Sequence, residues 1–427
     1  MNKQHYDLSI VIVANEDASN FTDSLPQIHS TLSSLSILYE IIIVLRHADE
    51  YIRNIVQQNN CILLVPTNTG YGNSILTGIH HSTGNYIITM DADQTHSVNF
   101  LKELWSARDT ADVVVASRYI TNGQAKMPAM RKVLSRLLNL VFSRGLDLPL
   151  HDMSSGFRLY KSYVIKKIST TSNSFDILQE VLVRILMEGY KISEIPYMYK
   201  SNDPAYWRMI QFGIAYIGTF SRLWKLRNSI ASADYDARAY NAMMPPQRYW
   251  QRQRYEHITG MLNGKGRCLD VGCGSSRIIG ALPEQSVALD ILFRKLRYAR
   301  RFGQATVQGS IFDLPVPDES FPCVLCSQVI EHVPRANVLD ELDRVLQSNG
   351  YLILGTPDYA KWEWNVIEWL YKILLPQAYA DEHITHYTFQ ELFDEFVTKR
   401  GYRLETTKYI LQGELILGLR KPSRNQT

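Results

Sequence analysis

The segment Asn85–Asp93 reads NYIITMDAD, an apolar strand that ends in two carboxylates. Similar near-continuous apolar runs are LSIVIVA (Leu8–Ala14), EIIIVL (Glu40–Leu45), CILLVP (Cys61–Pro66) and DVVVASRY (Asp112–Tyr119). Strands of this kind are usually buried on both faces, as in a parallel sheet covered by helices. Their alternation with helix-like segments predicts an α/β domain that binds ligands at the carboxyl ends of its strands.

A second alternation of strands and helices begins at GRCLDVGCGSS, Gly266–Ser276. Further strand-like runs are SVALD (Ser286–Asp290), CVLCSQVI (Cys323–Ile330), GYLILGTP (Gly350–Pro357) and LQGELILGLRK (Leu411–Lys421). The polar, aromatic segment Ser229–Glu256, with two adjacent prolines, separates the two alternations. We therefore predict two doubly wound α/β domains, at residues 1–228 and 257–427, joined by a linker and entry helix at residues 229–256.

Length and composition agree with a globular protein of more than one domain. The chain has 427 residues, and at roughly 150 residues per domain this predicts two or three domains. The net charge of +3 offers no bulk electrostatic attraction for nucleic acid. Cys323 and Cys326 have CxxC spacing but lie in an apolar strand without a second pair, which favours buried, reduced thiols.

The sequence predicts a cytoplasmic protein. The N-terminus lacks the basic start and long apolar stretch of a signal peptide, and no run reaches the roughly 18 apolar residues of a membrane span. The segment Met209–Trp224 comes nearest, but it is short, contains Arg222 and is followed by further basic residues. Two interpretations stay open: a helix lying on the inner membrane surface, or a helix packed on its own domain.

Asp91 and Asp93 follow the strand at Tyr86–Met90 and are separated by one residue. Two carboxylates at this spacing can hold Mg²⁺ or Mn²⁺, which keeps other positions for diphosphate oxygens. The ion would neutralise the charge that builds on a leaving nucleoside diphosphate. Taken alone, the pair also fits a solvated acidic turn.

Four further motifs occur in a fixed order around this pair. They are NTGYGNSILTGI (Asn68–Ile79), ASRY (Ala116–Tyr119), HDMSSGFRLY (His151–Tyr160) and FDILQEVLVRILMEGYKISEIPY (Phe175–Tyr197). In this order, residues 8–205 resemble the family-2 glycosyltransferases, specifically the dolichyl- or polyprenyl-phosphate mannose synthase branch. The resemblance implies the GT-A fold, a nucleoside diphosphate sugar as donor, and a lipid phosphate or glycan as acceptor.

The resemblance also implies residue roles. Asp91 and Asp93 would bind the metal, Asp93 would act in catalysis, and Asn15 and Glu16 would contact the nucleotide. The acceptor phosphate would be held by the catalytic arginines Arg118 and Arg131 together with Ser135, while Arg158 and Glu180 would shape the same pocket. Guanidinium groups suit a phosphate oxyanion, and an ionised phosphate can attack without a strong protein base.

One position departs from that pattern. The family usually has two adjacent acids after the second strand, where this chain has Leu45 and Arg46. Asp49 offers a carboxylate from a shifted turn. Either nucleotide recognition is altered, or sugar transfer has weakened.

The stretch Cys268–Gly274, CLDVGCG, combines a strand, an acid and glycines that allow close backbone approach to a ligand. With Asp290 ending the next strand, this pattern fits either NAD or S-adenosylmethionine. The continuation GSIFDLPVPDESFPCVLCSQVIEHVP (Gly309–Pro334) decides between them, because residues 238–420 resemble class I methyltransferases, which have a Rossmann-like fold.

By this resemblance the cofactor is S-adenosylmethionine. The implied contacts are Asp270, Gly272 and Gly274 to its methionine part, Asp290 to the ribose, Ile311 and Phe312 to the adenine, and Ser327, Gln328, Glu331 and His332 on the methyl-transfer side. Glu331 or His332 would serve as a base for a hydroxyl acceptor, or the two would only orient a loop.

The segment Tyr359–Tyr387 would form the acceptor lid of this domain. His383 and His386, near Asp381 and Glu382, suggest either a metal site or a lid contact.

The sequence therefore predicts a bifunctional enzyme of lipid-linked glycan or polysaccharide synthesis. Its first domain would transfer a hexose, and its second would methylate a sugar or related acceptor. The alternative is a methyltransferase carrying a non-catalytic, glycosyltransferase-like binding module. A scaffold without activity is the third hypothesis, which the retained ligand-facing residues oppose.

Overall fold

The computed structural model describes residues 5–14, 24–92, 95–201, 213–242, 245–374 and 383–423. The chain divides into two compact units, the first ending at Trp224 and the second beginning at Lys225. The short segment Met187–Gly189 groups with the second unit.

The first unit is built on a seven-stranded mixed sheet with the order β3-β2-β1-β4-β7-β5-β8. Its strands are β1 (Leu8–Ala14), β2 (Tyr39–Leu45), β3 (Ile62–Leu64), β4 (Tyr86–Asp91), β5 (Val113–Ser117), β7 (Arg158–Lys161) and β8 (Ile192–Pro196), with β6 (Gln124–Lys126) and β9 (Met198–Lys200) pairing separately. Its helices are α1 (Leu25–Ser33), α2 (Glu50–Gln58), α3 (Tyr71–His81), α4 (Leu101–Ser106), α5 (Ala129–Gly145), α6 (Ser162–Ile165), α7 (Ile177–Met187) and α8 (Gly213–Arg227). All seven residues of β1 are buried, as expected for a central strand covered on both faces.

The strand β7 runs antiparallel to its two neighbours, so its first residue lies at their carboxyl ends. Arg158 opens β7 and pairs with Thr89 of β4 and Val115 of β5. The Thr89 hydroxyl donates to the Gly156 carbonyl oxygen at 2.7 Å. The segment before β7 therefore crosses the sheet edge at which Asp91 ends β4.

The second unit also has a seven-stranded mixed sheet, with the order β12-β11-β10-β13-β14-β16-β15. Its strands are β10 (Cys268–Val271), β11 (Val287–Asp290), β12 (Ala305–Gln308), β13 (Phe321–Ser327), β14 (Leu346–Pro357), β15 (Arg403–Ile410) and β16 (Glu414–Arg420). Its helices are α9 (Tyr235–Ala239), α10 (Pro245–Leu262), α11 (Phe293–Ala299), α12 (Val338–Val345), α13 (Trp362–Leu374) and α14 (Phe389–Phe393). In this sheet β11 and β12 lie on one side of β10 and β13 lies on the other, so the direction of the strand order reverses there. Ligands of open α/β sheets bind at such a switch point.

A buried ion pair fixes α10 against this second sheet. Arg254 donates to both carboxylate oxygens of Glu414, the first residue of β16, at 2.7 and 2.8 Å. The Trp250 indole N–H donates to the same carboxylate. Glu414 is fully buried, so these donors replace the water that its charge loses on folding. The helical part of the segment predicted as a linker is therefore packed into the second unit.

Two α/β domains with largely parallel sheets were predicted, and this is confirmed. Each sheet contains one strand antiparallel to both of its neighbours, β7 in the first and β16 in the second. The five cysteines are free thiols, and Cys323 and Cys326 are buried within β13. Among the described residues, no helix combines the length and the apolar character needed to cross a bilayer.

Candidate functional site

The carboxylate of Asp91 is held at the carboxyl end of β4 from two sides. The Tyr71 hydroxyl donates to its Oδ1 at 2.9 Å. The Asp91 backbone N–H donates to Nδ1 of His96 at 2.9 Å, so the other ring nitrogen of His96 faces Asp91 Oδ2, 3.9 Å away. The Asp91 side chain is 30% exposed, which leaves it accessible to a ligand. Asp93, Asn15 and Glu16 lie outside the described residues.

His96 is a site residue that the sequence analysis missed. It is buried, and its ring stacks on Phe157 with centroids 4.7 Å apart. On either side of it, the Tyr197 hydroxyl donates to the Thr95 carbonyl oxygen at 2.7 Å and accepts from the Ser97 N–H at 2.9 Å. The sequence shows His96 five residues after Asp91, but a single histidine in a loop does not form a recognisable motif.

The glycine-rich motif before α3 positions Tyr71. Gly70 has φ +122°, and a Cβ there would lie 2.3 Å from the Asn173 carbonyl oxygen, so only glycine fits. The Tyr71 ring stacks on Phe175 with centroids 4.3 Å apart. Burial, and then the neighbouring Asp91, raise the pKa of Tyr71 well above its usual value, so its hydroxyl stays a hydrogen-bond donor.

Arg118 forms a buried, two-pronged ion pair with Asp152. Its Nε and one terminal nitrogen donate to the two oxygens of Asp152, each at 2.7 Å, and that terminal nitrogen also donates to Ser154 Oγ at 2.6 Å. Burial alone would raise the pKa of Asp152, but the Arg118 guanidinium holds it below its usual range. The sequence analysis missed Asp152, which lies 34 residues away along the chain.

The three residues predicted to hold the acceptor phosphate lie around two tyrosines. The Tyr119 hydroxyl donates to Ser135 Oγ at 2.7 Å, and Arg131 donates to the Tyr199 hydroxyl at 3.2 Å. The Arg118 guanidinium carbon lies 5.1 Å from the Tyr119 ring centroid and 5.3 Å from that of Tyr199. The fold therefore brings Arg118, Arg131 and Ser135 together around these tyrosines, with Arg118 and Ser135 buried.

Arg158 and Glu180 have no exposed surface. Both bond to backbone groups, and Glu180 also accepts from Arg184 Nε at 2.7 Å. Arg158 donates to the carbonyl oxygens of Met153 and Leu178, each at 2.9 Å. Glu180 accepts from the backbone N–H groups of residues 171 and 172 at 3.0 and 2.9 Å. Both side chains therefore hold the loops that carry Asp152 and Phe175, which makes them positioning residues.

The position of the usual acidic pair is occupied by core and surface residues. Leu45 is 1% exposed at the end of β2, while Arg46 is exposed. Asp49 is the N-cap of α2, where its Oδ1 accepts from the Ile52 N–H at 2.8 Å. Its carboxylate thus caps the start of the helix, the usual role of aspartate at this position.

In the second unit, two glycines shape the turn after β10. Gly272 and Gly274 have φ values of +72° and +55°. A Cβ would lie 2.4 Å from Val329 Cγ2 at the first and 2.5 Å from Asp236 Oδ2 at the second. Larger residues at either position would displace neighbours, so this turn requires glycine.

The predicted cofactor residues of this unit line one cavity of about 350 Å³, a size typical of small-ligand sites. They are Asp270, Gly272, Gly274, Asp290, Ile311, Phe312, Ser327, Gln328 and His332, whereas Glu331, also predicted on the methyl-transfer side, is not among the lining residues. Asp290 accepts from the Gly274 N–H at 2.8 Å and so ties the glycine turn to β11. Burial, and then the charge of Asp290, raise the pKa of Asp270 to about 8.

Asp236 of α9 also lines the cavity, although the sequence analysis assigned it to the linker. Its Oδ2 accepts from the Ser275 N–H and from Lys295 Nζ, each at 3.0 Å. Burial would raise its pKa, but the charge of Lys295 lowers it below the usual value. The sequence analysis did not single out Asp236, an acidic residue ahead of the predicted second domain. In the fold, its carboxylate lies at the glycine turn after β10.

Glu331 and His332 lie in the turn after β13. Glu331 is fully buried, and its Oε2 accepts from the Thr356 hydroxyl at 3.1 Å. Burial raises its pKa to about 8. His332 lies against His383, with ring centroids 4.8 Å apart. His386 instead stacks on Tyr359 with centroids 4.0 Å apart, and Asp381 and Glu382 lie outside the described residues.

The pKa of Asp270 predicts how cofactor binding depends on pH. S-adenosylmethionine, the cofactor implied by the sequence resemblance, carries an ammonium and a sulfonium, so we expect it to prefer the ionised carboxylate. With a pKa of about 8, Asp270 would release its proton on binding at neutral pH, so the association constant is expected to rise by up to about tenfold per pH unit from pH 6 to 7. The rise should end near pH 8, where Asp270 is ionised and the ammonium of the cofactor begins to lose its proton.

Calorimetry at pH 6, 7, 8 and 9 measures this dependence. Asp270→Asn should bind more weakly and lose most of the slope. A wild-type affinity that is independent of pH would show that Asp270 does not titrate against the cofactor.

Comparison with known proteins gives two family matches. Residues 9–169 match the model described as glycosyl transferase family 2, and residues 269–354 match the model described as methyltransferase domain. Both agree with the fold classes predicted from the sequence.

Among curated proteins, the chain is 31% identical over 138 residues to the dolichyl-phosphate hexose transferase of Haloferax volcanii, covering 31% of this chain and 58% of that protein. It is 29% identical over 122 residues to the polyprenol monophosphomannose synthase of Mycolicibacterium smegmatis, covering 27% and 46%. The chain thus spans about half the length of these relatives. A solved S-adenosylmethionine-dependent methyltransferase from Thermotoga maritima is 20% identical, with 41% of this chain and 93% of that chain covered at a TM-score of 0.33.

Proposed function

The chain joins a family-2 glycosyltransferase domain to a methyltransferase domain, and we propose that both are active on lipid-linked glycans. The first would transfer a hexose from a nucleoside diphosphate sugar to a polyprenyl phosphate or glycan acceptor. The second would transfer a methyl group from S-adenosylmethionine to a sugar or related acceptor. The observation that carries the proposal is the position of Asp91 at the carboxyl end of β4, where Tyr71 donates to its carboxylate and His96 accepts from its backbone N–H.

For the donor, Asp91 and Asp93 would bind Mg²⁺ or Mn²⁺. The exposed carboxylate of Asp91 fits this role, because a cation can share an oxygen that also accepts from Tyr71. The bound ion would stabilise negative charge on the diphosphate leaving group. Tyr71 and His96 would keep the Asp91 carboxylate oriented toward the donor.

For the acceptor, Arg118, Arg131 and Ser135 would hold the attacking phosphate. Asp152 occupies two nitrogens of Arg118, so it fixes the direction of the guanidinium and offsets part of its charge. Arg131 would supply the more flexible contact, since it lies on α5 rather than in the core. Orientation of the phosphate toward the sugar carbon is the main contribution expected of these residues.

The helix α5 supports an acceptor that resides in a membrane. It contains four basic and no acidic residues. Five apolar side chains on it are 46% to 60% exposed, namely Met130, Val133, Leu137, Leu140 and Val141. On the opposite side, Phe142 packs on Phe220 of α8. An exposed apolar stripe flanked by bases suits the surface of an anionic bilayer.

Binding to vesicles tests this surface. Leu137→Ser is expected to weaken binding to phosphatidylglycerol vesicles about tenfold, since burying one leucine contributes roughly 1.5 to 3 kcal/mol. Leu38→Ser, at a similarly exposed leucine, is the matched control. Equal losses in both variants would argue against α5 as the membrane-facing element.

In the second domain, the methyltransferase family implies S-adenosylmethionine, and the cavity fits it. Asp270 and the glycine turn would bind the methionine part, Asp290 the ribose, and Ile311 and Phe312 the adenine. The bound cofactor supplies an electrophilic methyl group. Protein residues would align the acceptor with it, and His332 faces the same cavity.

Leu45, Arg46 and the capping role of Asp49 favour a second candidate function, a methyltransferase whose first domain binds sugar or lipid without transferring it. Calorimetric titration with UDP and GDP, with and without Mn²⁺, separates the two. Binding of one nucleotide that requires Mn²⁺ supports an active donor site and identifies its base. If neither nucleotide binds while S-adenosylmethionine does, the second candidate holds.

A further inference from the structure

Three metal-binding side chains converge beside the methyl-transfer cavity. One carboxylate oxygen of Glu331 and one ring nitrogen each of His332 and His383 lie within 4.8 Å of one another. His332 also lines the cavity. We propose that this cluster is a divalent-cation site, with Zn²⁺ as its best match, and that the cation binds an oxygen of the methyl acceptor.

The buried carboxylate of Glu331 provides the first argument. The Thr356 hydroxyl donates to Oε2, but within the described part of the chain Oε1 has no hydrogen-bond donor. Glu331 is fully buried, so water does not compensate for the missing donor. Leaving a buried polar atom without a partner costs about 1 to 3 kcal/mol. A cation bound to Oε1 would remove this cost.

The backbone holds the three ligands in fixed positions. The N–H groups of Ile384 and Thr385 donate to the Glu331 carbonyl oxygen at 2.8 and 3.0 Å. The Thr385 hydroxyl donates to the Val333 carbonyl oxygen at 2.6 Å. The segment that carries His383 is thus tied to the turn that carries Glu331 and His332, although about 50 residues separate them. Ligands fixed before binding lose little entropy on binding.

His383 is oriented as metal-binding histidines usually are. Its Nδ1 lies 2.5 Å from the Tyr359 hydroxyl and 3.9 Å from Glu368 Oε1. Most metal-binding histidines use their second nitrogen in such a hydrogen bond, which fixes the tautomer and the ring plane. A cation would therefore bind His383 through Nε2.

Two imidazoles and one carboxylate are the donor set of many catalytic zinc sites, with a fourth position open to water or substrate. Zinc–ligand bonds of about 2.0 to 2.2 Å place tetrahedral ligand atoms about 3.4 Å apart. The backbone positions are fixed, and the three side chains would have to rotate to bring their ligand atoms up to about 1.4 Å closer than the present limit of 4.8 Å. His332 lines the cavity, so the open coordination position would lie on the cavity side of the cluster.

The role in methyl transfer rests on the proposed activity of this domain. An acceptor hydroxyl bound to the cation becomes more acidic and releases its proton to water. The oxygen then forms a bond to the methyl carbon while the carbon–sulfur bond breaks. The electron pair of that bond stays on sulfur, which turns from a cationic sulfonium into a neutral thioether.

Zinc binding by the full-length chain tests the site without any acceptor. The background variant Asp91→Ala/Asp93→Ala removes the other predicted cation site, and dialysis against EDTA removes bound metal. Titration with Zn²⁺ is expected to show one equivalent bound. Glu331→Gln and His383→Ala should weaken that binding at least tenfold, whereas His386→Ala, an exposed histidine outside the cluster, should not change it.

Two controls keep the outcomes distinct. Retained binding of S-adenosylmethionine and an unchanged thermal midpoint in EDTA show that each variant is folded. No zinc binding by the background variant, or unchanged binding by folded Glu331→Gln and His383→Ala, would overturn the site. Lost zinc binding with an unchanged rate of methyl transfer would overturn only the acceptor role, and the proposed methyltransferase activity would stand.

Discussion

Replacing Asp91 with asparagine is expected to lower the rate of sugar transfer about 100-fold to 1000-fold. The substitution keeps the size of the side chain and an oxygen that accepts from the Tyr71 hydroxyl, so the loop should stay in place. It removes one negative charge from the predicted metal site. A catalytic metal contributes several kcal/mol to charge stabilisation, and each 1.36 kcal/mol corresponds to about tenfold in rate.

Transfer is measured with labelled nucleotide sugar and a polyprenyl phosphate over a range of Mn²⁺ concentrations. The variant should need more Mn²⁺ for half-maximal rate. Asp109→Asn, an exposed aspartate on the same domain, is the matched control and should retain the wild-type rate. Equal rates for the two variants would mean that the donor is bound without the Asp91 carboxylate.

Replacing Asp152 with alanine is expected to destabilise the first domain by about 3 to 5 kcal/mol, because it leaves the Arg118 charge buried without its partner. Arg118 is 9% exposed, so solvent cannot replace the two hydrogen bonds that its guanidinium loses, and the N–H groups of Arg118, Ser154 and Ser155 lose their acceptor as well. The double variant Arg118→Met/Asp152→Ala removes both charges and should recover the part of the loss that the unpaired charge causes, while the three backbone N–H groups still lack the Asp152 acceptor. The stabilisation by the ion pair also depends on pH, and acid is expected to weaken it. The pKa of Asp152 in the folded state lies below 3.8, so the ion pair stabilises above that pH and is lost on acidification.

Hydrogen exchange of peptides from β5 and β7 at increasing urea concentration reports on this domain alone, which matters because a two-domain chain need not unfold in one step. Asp109→Ala breaks an exposed ion pair and should change stability by less than about 1 kcal/mol. If the double variant is less stable than Asp152→Ala alone, the buried arginine has found another partner, and the proposed dependence of Arg118 on Asp152 is wrong.

The sequence alone was sufficient for the architecture and for the motifs at the ends of the strands. Buried parallel strands require continuous apolar runs, which is why β1, β2, β4 and β5 were visible without a structure. Turns with positive φ require glycine, which is why Gly272 and Gly274 were visible as well. Such requirements are local, so they leave a signature in consecutive residues.

The tertiary structure decided the partners of these residues. Arg118 was predicted to bind phosphate, yet the fold engages two of its nitrogens with Asp152. Arg158 was predicted to shape the acceptor pocket, yet it is buried against backbone carbonyls. An arginine has the same appearance in a sequence whether it faces a ligand or a buried acid, because that difference depends on the chain that packs over it.

The tertiary structure also placed His96 at Asp91, Asp236 at the glycine turn, and Glu331 near His383. Asp236 reaches the glycine turn from 39 residues away, and the segment that follows His383 is bound to the Glu331 turn across about 50 residues. Contacts over such separations depend on strand order and on loop packing. The sequence by itself therefore determined the set of strands, turns and charged groups. Only the fold determined which of those groups neutralise one another and which stay available to a ligand.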